Sequence, residues 1–430
     1  MDPTTLAVLG ILVMFALLFL RMPVSFAMLA VGLAGSTIVL GPAAGLQLVA
    51  ADVYRQMSSY GLAVVPLFIL MGMVIFHTGM SGKLFKAAYA WIGHFPGGVA
   101  ATTILASIAF SCVSGSNSAS TATMGSVALP EMKRYGYNPR VAGGAVAIGG
   151  TLGVLIPPST ALIIIAVQSE QSISRLFQAA LWPGIFVGVL LVITVMVICR
   201  LRPEYGPPGP KATWTERFSS LKGVVETGIL FLLAVGGLFA GWFTPSEAAA
   251  VGALGALVIA AVNRSLTVEV LRKSIVGTLR TSAMVVLLIA GAVVFGRFLS
   301  VTRMPFELAE WVSNLQVAPF FILMVVIAIY LVGGAIMDAL GFLVISIPIF
   351  FPLVTALGYD LVWFTIIVTL VTTLGSVTPP VGVNVFITAG LDKSLDVMTV
   401  FRGVNPYYVP YFASLGVFIA VPNTILFAVS

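Results

Sequence analysis

The amino-acid composition indicates a protein that resides in a lipid bilayer. Of 430 residues, 59% are hydrophobic and only 8% are charged, with a formal net charge of +6. A water-soluble fold of this size could not cover its surface with so few charged side chains, so that class is excluded. The Lys and Arg residues are spread through short loops, which argues against nucleic-acid binding despite the positive charge.

Ten stretches of the chain are predicted to cross the membrane, because a span needs about 20 mostly apolar residues. Two further apolar stretches, 97–130 and 318–352, are interrupted by small and polar residues. We predict that both are re-entrant hairpins, which return to the side from which they came. The predicted spans are Leu6 to Leu20, Val24 to Leu40, Gly61 to His77, Val141 to Val167, Ala179 to Cys199, Val224 to Phe243, Glu247 to Val262, Thr281 to Leu299, Leu361 to Gly390 and Val404 to Val429.

The distribution of basic residues orients these spans. If the N-terminus lies outside, 17 of the 21 Lys and Arg residues fall in segments on the cytoplasmic side. Three, Arg55, Arg175 and Arg303, fall outside, and Arg297 lies within a span. This asymmetry satisfies the positive-inside rule, whereas the opposite orientation would violate it. Both termini are therefore predicted to lie outside the cytoplasm.

The two halves of the chain repeat one pattern at a distance of 222 residues. Pro130, Gly136, Gly153 and Pro157-Pro158 recur as Pro352, Gly358, Gly375 and Pro379-Pro380. The link after the first hairpin, 131–137, carries two basic residues, whereas its counterpart, 353–360, carries none. Equivalent parts therefore face opposite sides, which defines an inverted-topology repeat and is typical of secondary transporters.

The predicted fold class is an all-α polytopic membrane protein with an inverted repeat, two re-entrant hairpins and two broken helices. The first half covers residues 1–200, with its broken helix at 141–167. A proline-rich cytoplasmic linker, 201–222, follows. The second half covers residues 223–430, with its broken helix at 361–390.

The first predicted hairpin contains eight consecutive small or polar residues, 114–121, within an apolar region. Irregular backbone at membrane depth survives only where protein or a cavity satisfies its N–H and C=O groups. The hydroxyl, amide and carbonyl oxygens of this run, which includes Asn117, favour a site for Na⁺ or for a solute. Close helix packing by small residues is the alternative.

Each half carries a double proline that is predicted to break its helix. Proline removes a backbone N–H and clashes with the preceding turn, so Pro157-Pro158 and Pro379-Pro380 should unwind the chain. The carbonyls of Gly153 and Ile156 would then be available to a cation, and Ser159 would cap the helix that restarts. A simple kink is the alternative, but two breaks at matched positions favour a transporter.

Three charged residues within apolar surroundings have separate interpretations. Asp338, near the end of the second hairpin, is either a functional carboxylate or a helix cap, and the sequence supports both equally. Glu247 is predicted to form a capping box with Thr244. Arg297 either reaches the membrane surface or pairs with an acid, and the sequence does not decide between these.

Taken together, these motifs resemble the large membrane subunit of the tripartite ATP-independent periplasmic (TRAP) transporters over essentially the whole chain. The resemblance implies an elevator-type, Na⁺-coupled importer of the ion transporter superfamily, located in the bacterial inner membrane; the charge distribution predicts both termini in the periplasm. It implies a carboxylate-bearing solute, such as a C4-dicarboxylate or sialic acid, and no organic cofactor. The implied partners are a periplasmic solute-binding protein and a small four-span membrane subunit. The motifs are Ser114-Gly115-Ser116, Pro130-Glu131-Met132, Ile156-Pro157-Pro158-Ser159, Leu176-Phe177, Thr244-Pro245-Ser246-Glu247-Ala248, Met337-Asp338, Thr378-Pro379-Pro380-Val381-Gly382-Val383-Asn384 and Phe401-Arg402-Gly403.

The resemblance also implies, position by position, where ions and solute bind. Most of the implied Na⁺ ligands are backbone carbonyls, and the solute is expected between the two hairpin ends. The implied Na⁺ ligands are Ser114, Gly153 and Ile156 in the first site and Gly334, Gly375, Thr378 and Val381 in the second. The implied solute-binding residues are Ser116, Asn117, Ser118, Pro158, Ser159, Asp338, Pro380 and Asn384.

Other classes of function remain as alternatives. The hairpin sequence Ser116-Asn117-Ser118 is similar to that of the dicarboxylate/Na⁺ symporters, so a stand-alone symporter is the main alternative. A membrane-embedded enzyme is disfavoured because no Gly-x-Ser-x-Gly, Gly-x-Gly-Asp or zinc-binding motif occurs. A channel is disfavoured because matched broken helices indicate alternating access.

Overall fold

The computed structural model describes residues 2–429, except for the side chains of Ser81, Cys112, Val113 and Ser114. The described chain is helical and contains no strand. Short 3₁₀ turns lie at Tyr60–Ala63, Thr151–Gly153 and Pro203–Tyr205. The helices of the first half are α1 (Pro3–Phe19), α2 (Val24–Leu40), α3 (Pro42–Met57), α4 (Val64–His77), α5 (Met80–Ile92), α6 (Gly98–Ser114), α7 (Asn117–Arg134), α8 (Pro139–Gly150), α9 (Thr160–Gln168) and α10 (Ile173–Leu201).

The second half has a matching series of helices. A π-helical turn, Leu232–Gly236, joins its first two members. The helices are α11 (Trp214–Phe231), α12 (Gly237–Phe239), α13 (Pro245–Val262), α14 (Val268–Val301), α15 (Met304–Asn314), α16 (Pro319–Ile336), α17 (Ala339–Ala356), α18 (Leu361–Gly375), α19 (Val383–Leu391), α20 (Val397–Ala420) and α21 (Asn423–Leu426).

Several helices have the length and composition of membrane spans. Within the described residues, seven helical segments are long and apolar enough to cross a bilayer, and α1, α2, α18 and much of α6 are shorter apolar helices. The chain is therefore a multi-pass membrane protein. The segments are Tyr60–His77, Ile173–Leu201, Trp214–Phe239, Pro245–Val262, Val268–Val301, Pro319–Ile336 and Ala339–Ala356.

The repeat that the sequence predicts extends through the whole helical series. Adding 222 to Asn117 and Arg134, the ends of α7, gives Ala339 and Ala356, the ends of α17. The same shift relates α1 to α11 and α12, α2 to α13, α5 to α15, α6 to α16, and each of α8, α9 and α10 to α18, α19 and α20. One difference breaks the match: α3 and α4 are separate helices, whereas their counterpart α14 is a single helix of 34 residues.

Three predicted boundaries are wrong. The first hairpin does not end at residue 130, because α7 continues through Pro130 to Arg134, and the second continues through Pro348 and Pro352 to Ala356. A proline removes only one hydrogen bond, and packing of α7 on α8 and of α17 on α18 sustains the last turns. The linker also ends early, since a capping box at Thr213 starts α11 at residue 214.

Three helices, α3, α5 and α15, are absent from the predicted spans because they are amphipathic. They mix apolar with polar and charged residues, so a search for continuous apolar stretches does not find them.

The predicted capping box at the start of α13 is confirmed. The backbone N–H of Thr244 donates to Glu247 Oε2 at 2.8 Å, and the backbone N–H of Glu247 donates to Thr244 Oγ1.

Helix contacts divide the described chain into two groups that each draw on both halves. In the first group, α2 and α4 pack against α14, and α4 also packs against α13. In the second group, α8 packs against α20 and α16 packs against α18. Glycines permit the closest approaches: a Cβ on Gly32 would lie 2.7 Å from the Val294 carbonyl carbon, and one on Gly144 would lie 2.3 Å from Gly403 O. The centre of the second group is α8 and α18, which are buried along almost their whole length.

Candidate functional site at the two helix breaks

The first helix break lies between α8 and α9, where the double proline predicts it. After Gly150 the chain makes one 3₁₀ turn and then runs irregularly to Thr160, with a cis bond between Pro157 and Pro158. Every residue from 151 to 159 is buried. The hydroxyl of Ser159 accepts the Leu162 N–H at 3.3 Å and so caps α9, which confirms its predicted role as a cap.

The second break, between α18 and α19, has a different environment. It also contains a cis bond, between Pro379 and Pro380, but these two residues and Val381 are exposed. Within the break, Thr378 N–H donates to Gly375 O at 2.8 Å, and the Thr378 hydroxyl donates to Leu374 O at 2.8 Å. The two breaks therefore share a backbone design while one is enclosed and the other is open.

The end of the first hairpin is hydrogen-bonded to the first break. The link between α6 and α7 is Gly115-Ser116, and Gly115 has a φ of +57°, which favours glycine. The Thr160 hydroxyl donates to Gly115 O at 2.7 Å. Asn117 Oδ1 accepts the Val154 N–H at 3.0 Å, so a predicted site residue holds the hairpin to the unwound segment.

Gly153 brings the backbone of this break against the hairpin. A Cβ placed on Gly153 would lie 2.5 Å from Ser116 O and 2.8 Å from Ser120 Oγ. The neighbouring Thr121 hydroxyl is buried without a hydrogen-bond partner in the described part of the chain. One carbonyl oxygen and one hydroxyl oxygen therefore lie against the predicted ligand Gly153, and the Thr121 hydroxyl lies against Gly150 in the preceding turn. The side chain of Ser114, another predicted ligand, lies outside the described residues.

The second hairpin contacts the second break through its backbone. Ala335 O accepts the N–H groups of Val381 at 3.2 Å and Gly382 at 3.0 Å. The predicted ligands Gly334 and Gly375 lie at this contact, where a Cβ on Gly375 would be 2.7 Å from the Gly334 carbonyl carbon. The two hairpins thus bind their breaks differently: the first uses side chains and the second uses main-chain groups.

The end of the second hairpin carries Asp338, which lies near the end of the first hairpin. Asp338 is the N-cap of α17, and its carboxylate accepts the Leu340 N–H at 3.1 Å. The Ser118 hydroxyl of the first hairpin lies near enough to this carboxylate to interact with it. Asp338 is exposed, so its carboxylate is accessible from outside the protein. Both roles considered for Asp338, cap and functional carboxylate, are compatible with this position.

The other predicted solute residues differ in accessibility. Ser116 and Ser118 are half-buried and line a cavity of about 410 Å³, which lies between α7 and the first-group helices α4 and α14. Asn117, Pro158 and Ser159 are buried, whereas Pro380 is exposed. Asn384 is buried, and its Nδ2 contacts Ala147 O at 3.4 Å. The structure therefore brings part of the predicted set to one accessible cavity.

Sequence reasoning missed some polar residues at the breaks. Thr160 contacts Gly115, and the Tyr408 hydroxyl donates to Val377 O at 3.0 Å beside the second break. Asn384, by contrast, belongs to the predicted set, and its Oδ1 is buried without a hydrogen-bond partner within the described residues. Thr160 lies two residues after the double proline, next to the predicted Ser159, and could have been noticed. Tyr408 lies on a different helix, so no local pattern points to it.

The sequence of this chain is similar to those of known membrane transport proteins. Residues 11–424 match the family described as tripartite ATP-independent periplasmic transporter, DctM component. The C4-dicarboxylate TRAP transporter large permease protein DctM of Pseudomonas aeruginosa is 33% identical over 362 residues, which cover 84% of each chain. The sialic acid TRAP transporter large permease protein SiaM of Vibrio cholerae is 31% identical, over 95% of this chain and 94% of that protein.

A solved structure is similar in fold. The Alcanivorax borkumensis YdaH transporter superposes with a TM-score of 0.64, over 98% of this chain and 99% of that one, at 13% sequence identity. The identity is too low to transfer function, so this similarity supports the arrangement of helices and nothing more.

Proposed function

Because the chain belongs to the DctM component family of tripartite ATP-independent periplasmic transporters, we propose that it is the large permease subunit of an Na⁺-coupled importer of an organic anion. The observation that carries the proposal is the pair of helix breaks at repeat-related positions, each in contact with the end of its own hairpin. Discontinuous helices of this kind hold coupling ions and solutes in secondary transporters.

The first break supports an Na⁺ site. The position next to Gly153 is surrounded by Ser116 O and Ser120 Oγ, and the unpartnered Thr121 hydroxyl lies against Gly150. Hard cations without redox chemistry prefer such oxygen ligands. We propose that Gly153, Ile156 and Ser114 complete this site. Enclosure of the whole break would exclude competing water.

The second break supports a second Na⁺ site of backbone character. Gly334, Gly375, Thr378 and Val381 are held together by the contact between α16 and the break. The Thr378 hydroxyl donates its proton to Leu374 O, which leaves its lone pairs as potential ligands. Since residues 379–381 are exposed, we expect this site to exchange its ion more readily than the first.

Helix termini support an anionic solute. The N-terminus of α7 borders the cavity through Ser116 and Ser118, and helix N-termini favour negative charge, whereas the N-terminus of α17 is already capped by the Asp338 carboxylate. Relatives are named for C4-dicarboxylate, sialic acid, 2,3-diketo-L-gulonate and isethionate, all of which are organic anions. The 410 Å³ cavity is lined by Ser116 and Ser118, and we propose that the solute enters it and contacts them. We propose that the other predicted residues, Asn117, Pro158, Ser159, Asp338, Pro380 and Asn384, which lie outside the lining of this cavity, complete the solute site.

Two cavities support an elevator motion. The 410 Å³ cavity separates α7 from α4 and α14, and a second cavity of about 740 Å³ separates α9 and α17 from α3, α14 and α15. Each cavity has α14 of the first group on one side and, on the other, a helix that packs against the second group: α7, which packs against α8, or α17, which packs against α18. We propose that the second group, with its hairpins and breaks, slides along the first and opens these cavities in turn.

We further propose the orientation and the partners. The charge distribution supports a multi-pass protein of the bacterial inner membrane with both termini in the periplasm. A small four-span membrane subunit would support the first helix group, and a periplasmic binding protein would deliver the solute. A relative named isethionate TRAP transporter permease protein DctMQ is longer than this chain, since the matched region covers only 59% of it. We propose that the rest of that relative corresponds to the separate small subunit.

Reconstituted transport tests the proposal. Proteoliposomes that contain the chain with its small subunit and binding protein should take up radiolabelled succinate or N-acetylneuraminate when an inward Na⁺ gradient is imposed. Uptake should fall to background when K⁺ replaces Na⁺. Equal uptake in both salts would contradict Na⁺ coupling. Full uptake by the chain alone would instead favour the stand-alone symporter.

A further inference from the structure

Two threonines at repeat-related positions carry the same hydrogen bond at the two breaks. Adding 222 to Thr151 gives Thr373. The Thr151 hydroxyl donates to Ile148 O at 2.7 Å, and the Thr373 hydroxyl donates to Leu370 O at 2.8 Å. Each threonine precedes a predicted ion ligand by two residues, since Gly153 and Gly375 follow them. The two hydroxyls therefore hold the last helical turn before each break.

One tyrosine contacts both threonines. The Tyr411 hydroxyl, on α20, lies 3.0 Å from Thr151 Oγ1 and 3.4 Å from Thr373 Oγ1. All three residues are buried, with at most 1% of their surface exposed. Position 189, which corresponds to Tyr411 in the first half, is a valine. The repeat thus supplies two equivalent threonines, whereas a single residue without a counterpart joins them.

The number of protons makes this contact asymmetric. Each threonine hydroxyl has one proton, which is directed to its own helix carbonyl. Tyr411 must therefore donate to a threonine, and its single proton can serve only one of the two. The shorter distance shows that it serves Thr151 in this conformation. A transfer of this hydrogen bond to Thr373 would change the support of both breaks at once.

We propose that Tyr411 is a positioning residue that couples the two breaks, so that a cation bound at one changes the affinity of the other. This inference rests on the proposed Na⁺ coupling. A cation bound at one break attracts the carbonyl oxygens of that break, and the adjacent threonine moves with them. The hydrogen bond between that threonine and the Tyr411 hydroxyl then changes in length. As a result, the Tyr411 hydroxyl binds the other threonine more strongly or more weakly. Two sites bind cooperatively when a shared element has two arrangements and ligand binding at either site favours the same one. Here that element is the Tyr411 hydroxyl, which can bond to Thr151 or to Thr373.

Binding of ²²Na⁺ to the purified full-length chain in lipid nanodiscs tests the inference, with choline keeping the ionic strength constant. The wild-type protein should bind with a Hill coefficient above 1. Tyr411→Phe removes only the hydroxyl, so the Hill coefficient should fall to 1 and half-saturation should need at least about fivefold more Na⁺. Tyr407→Phe is the matched control, because Tyr407 is equally buried on the same helix and lies outside this network.

Different outcomes identify different failures. If Tyr411→Phe keeps the wild-type Hill coefficient, or if Tyr407→Phe lowers it equally, the coupling role of Tyr411 is wrong. If the wild-type protein binds no ²²Na⁺, the proposed Na⁺ coupling itself is wrong, and the inference falls with it. Should Tyr411→Phe fail to fold, Thr373→Val removes the other end of the link while the Tyr411–Thr151 bond stays. Its Hill coefficient should also fall to 1, and a wild-type value would overturn the inference.

Discussion

Arg297 on α14 and Asp52 on α3 form an ion pair that is partly buried between these two helices. Arg297 Nη2 donates to Asp52 Oδ1 at 2.8 Å, and Arg55 Nη2 donates to the same oxygen at 2.9 Å. The Asp52 side chain is 6% exposed and that of Arg297 is 34% exposed. Of the two interpretations of Arg297, pairing with an acid is therefore correct, and the pair holds an amphipathic helix to a long span.

Removal of one partner should destabilise the protein more than removal of both. Loss of one member of a fully buried pair costs roughly 3–5 kcal/mol, because the other charge stays buried. Partial exposure of Arg297 screens the charge, so we expect about 1–3 kcal/mol for Asp52→Asn. Addition of Arg297→Gln should restore part of this loss. A double-mutant cycle on unfolding in detergent measures the coupling, and additive single effects would exclude a stabilising pair.

The carboxylate of Asp338 and its capping role can be separated by substitution. Asparagine caps helices as well as aspartate does, whereas alanine loses roughly 1 kcal/mol at such a position. Asp338→Asn should keep the thermal stability of the protein and lower uptake by about tenfold, an energy of roughly 1.4 kcal/mol. Asp338→Ala should lower both stability and uptake. Wild-type uptake by Asp338→Asn would mean that the residue serves only as a cap.

Gly153 should tolerate no side chain, because the atoms around it belong to backbone and to a tightly held helix. A Cβ there would meet Ser116 O at 2.5 Å. We expect Gly153→Ala to separate the hairpin from the break and to raise the Na⁺ concentration for half-maximal uptake by about tenfold, or roughly 1.4 kcal/mol. Gly390→Ala is the control, since a Cβ at Gly390 would meet no atom within 4 Å. Equal effects of both substitutions would contradict this explanation.

The inverted topology predicts opposite labelling of two equivalent links. Tyr135 and Leu357 are related by 222 residues, and each follows the second helix of a hairpin. With Cys112 and Cys199 replaced by alanine, a cysteine at Tyr135 should react with an impermeant maleimide only from the cytoplasmic side. A cysteine at Leu357 should react only from the periplasmic side. Labelling of both from one side would contradict the inverted repeat.

Asp392 should contribute to stability only above the acidic range. Hydrogen bonds from the backbone N–H and hydroxyl of Ser394, with help from Lys133, hold the pKa of this carboxyl below its usual value. Its contribution is therefore complete above the ordinary pKa of about 3.9 and is lost as pH falls through the lower folded pKa. Asp392→Asn should destabilise by less than about 1 kcal/mol at pH 7, because solvent screens the Lys133 pair. The unfolding midpoints of the wild-type protein and of Asp392→Asn should converge at low pH. A difference between them that stays constant with pH would contradict the stabilising role of the Asp392 carboxylate.

Local chemistry allowed much of the fold to be predicted from the sequence. The double prolines placed both breaks, and Thr244 with Glu247 placed the start of α13, because these effects depend on neighbours within a few residues. The 222-residue shift predicted the pairing of equivalent helices. Prolines within α7 and α17 misled the prediction of their ends, since tertiary packing outweighed the local tendency to stop.

The sequence by itself determined that the chain is a two-fold repeat of membrane helices with a break in each half, because composition and turn residues act locally. Only the tertiary structure decided that Arg297 meets Asp52, that Asn117 holds Val154 and that Tyr411 joins Thr151 to Thr373. These partners lie up to 260 residues apart. No local pattern encodes such contacts, since packing of whole helices brings the side chains together and burial then requires each polar group to find a partner.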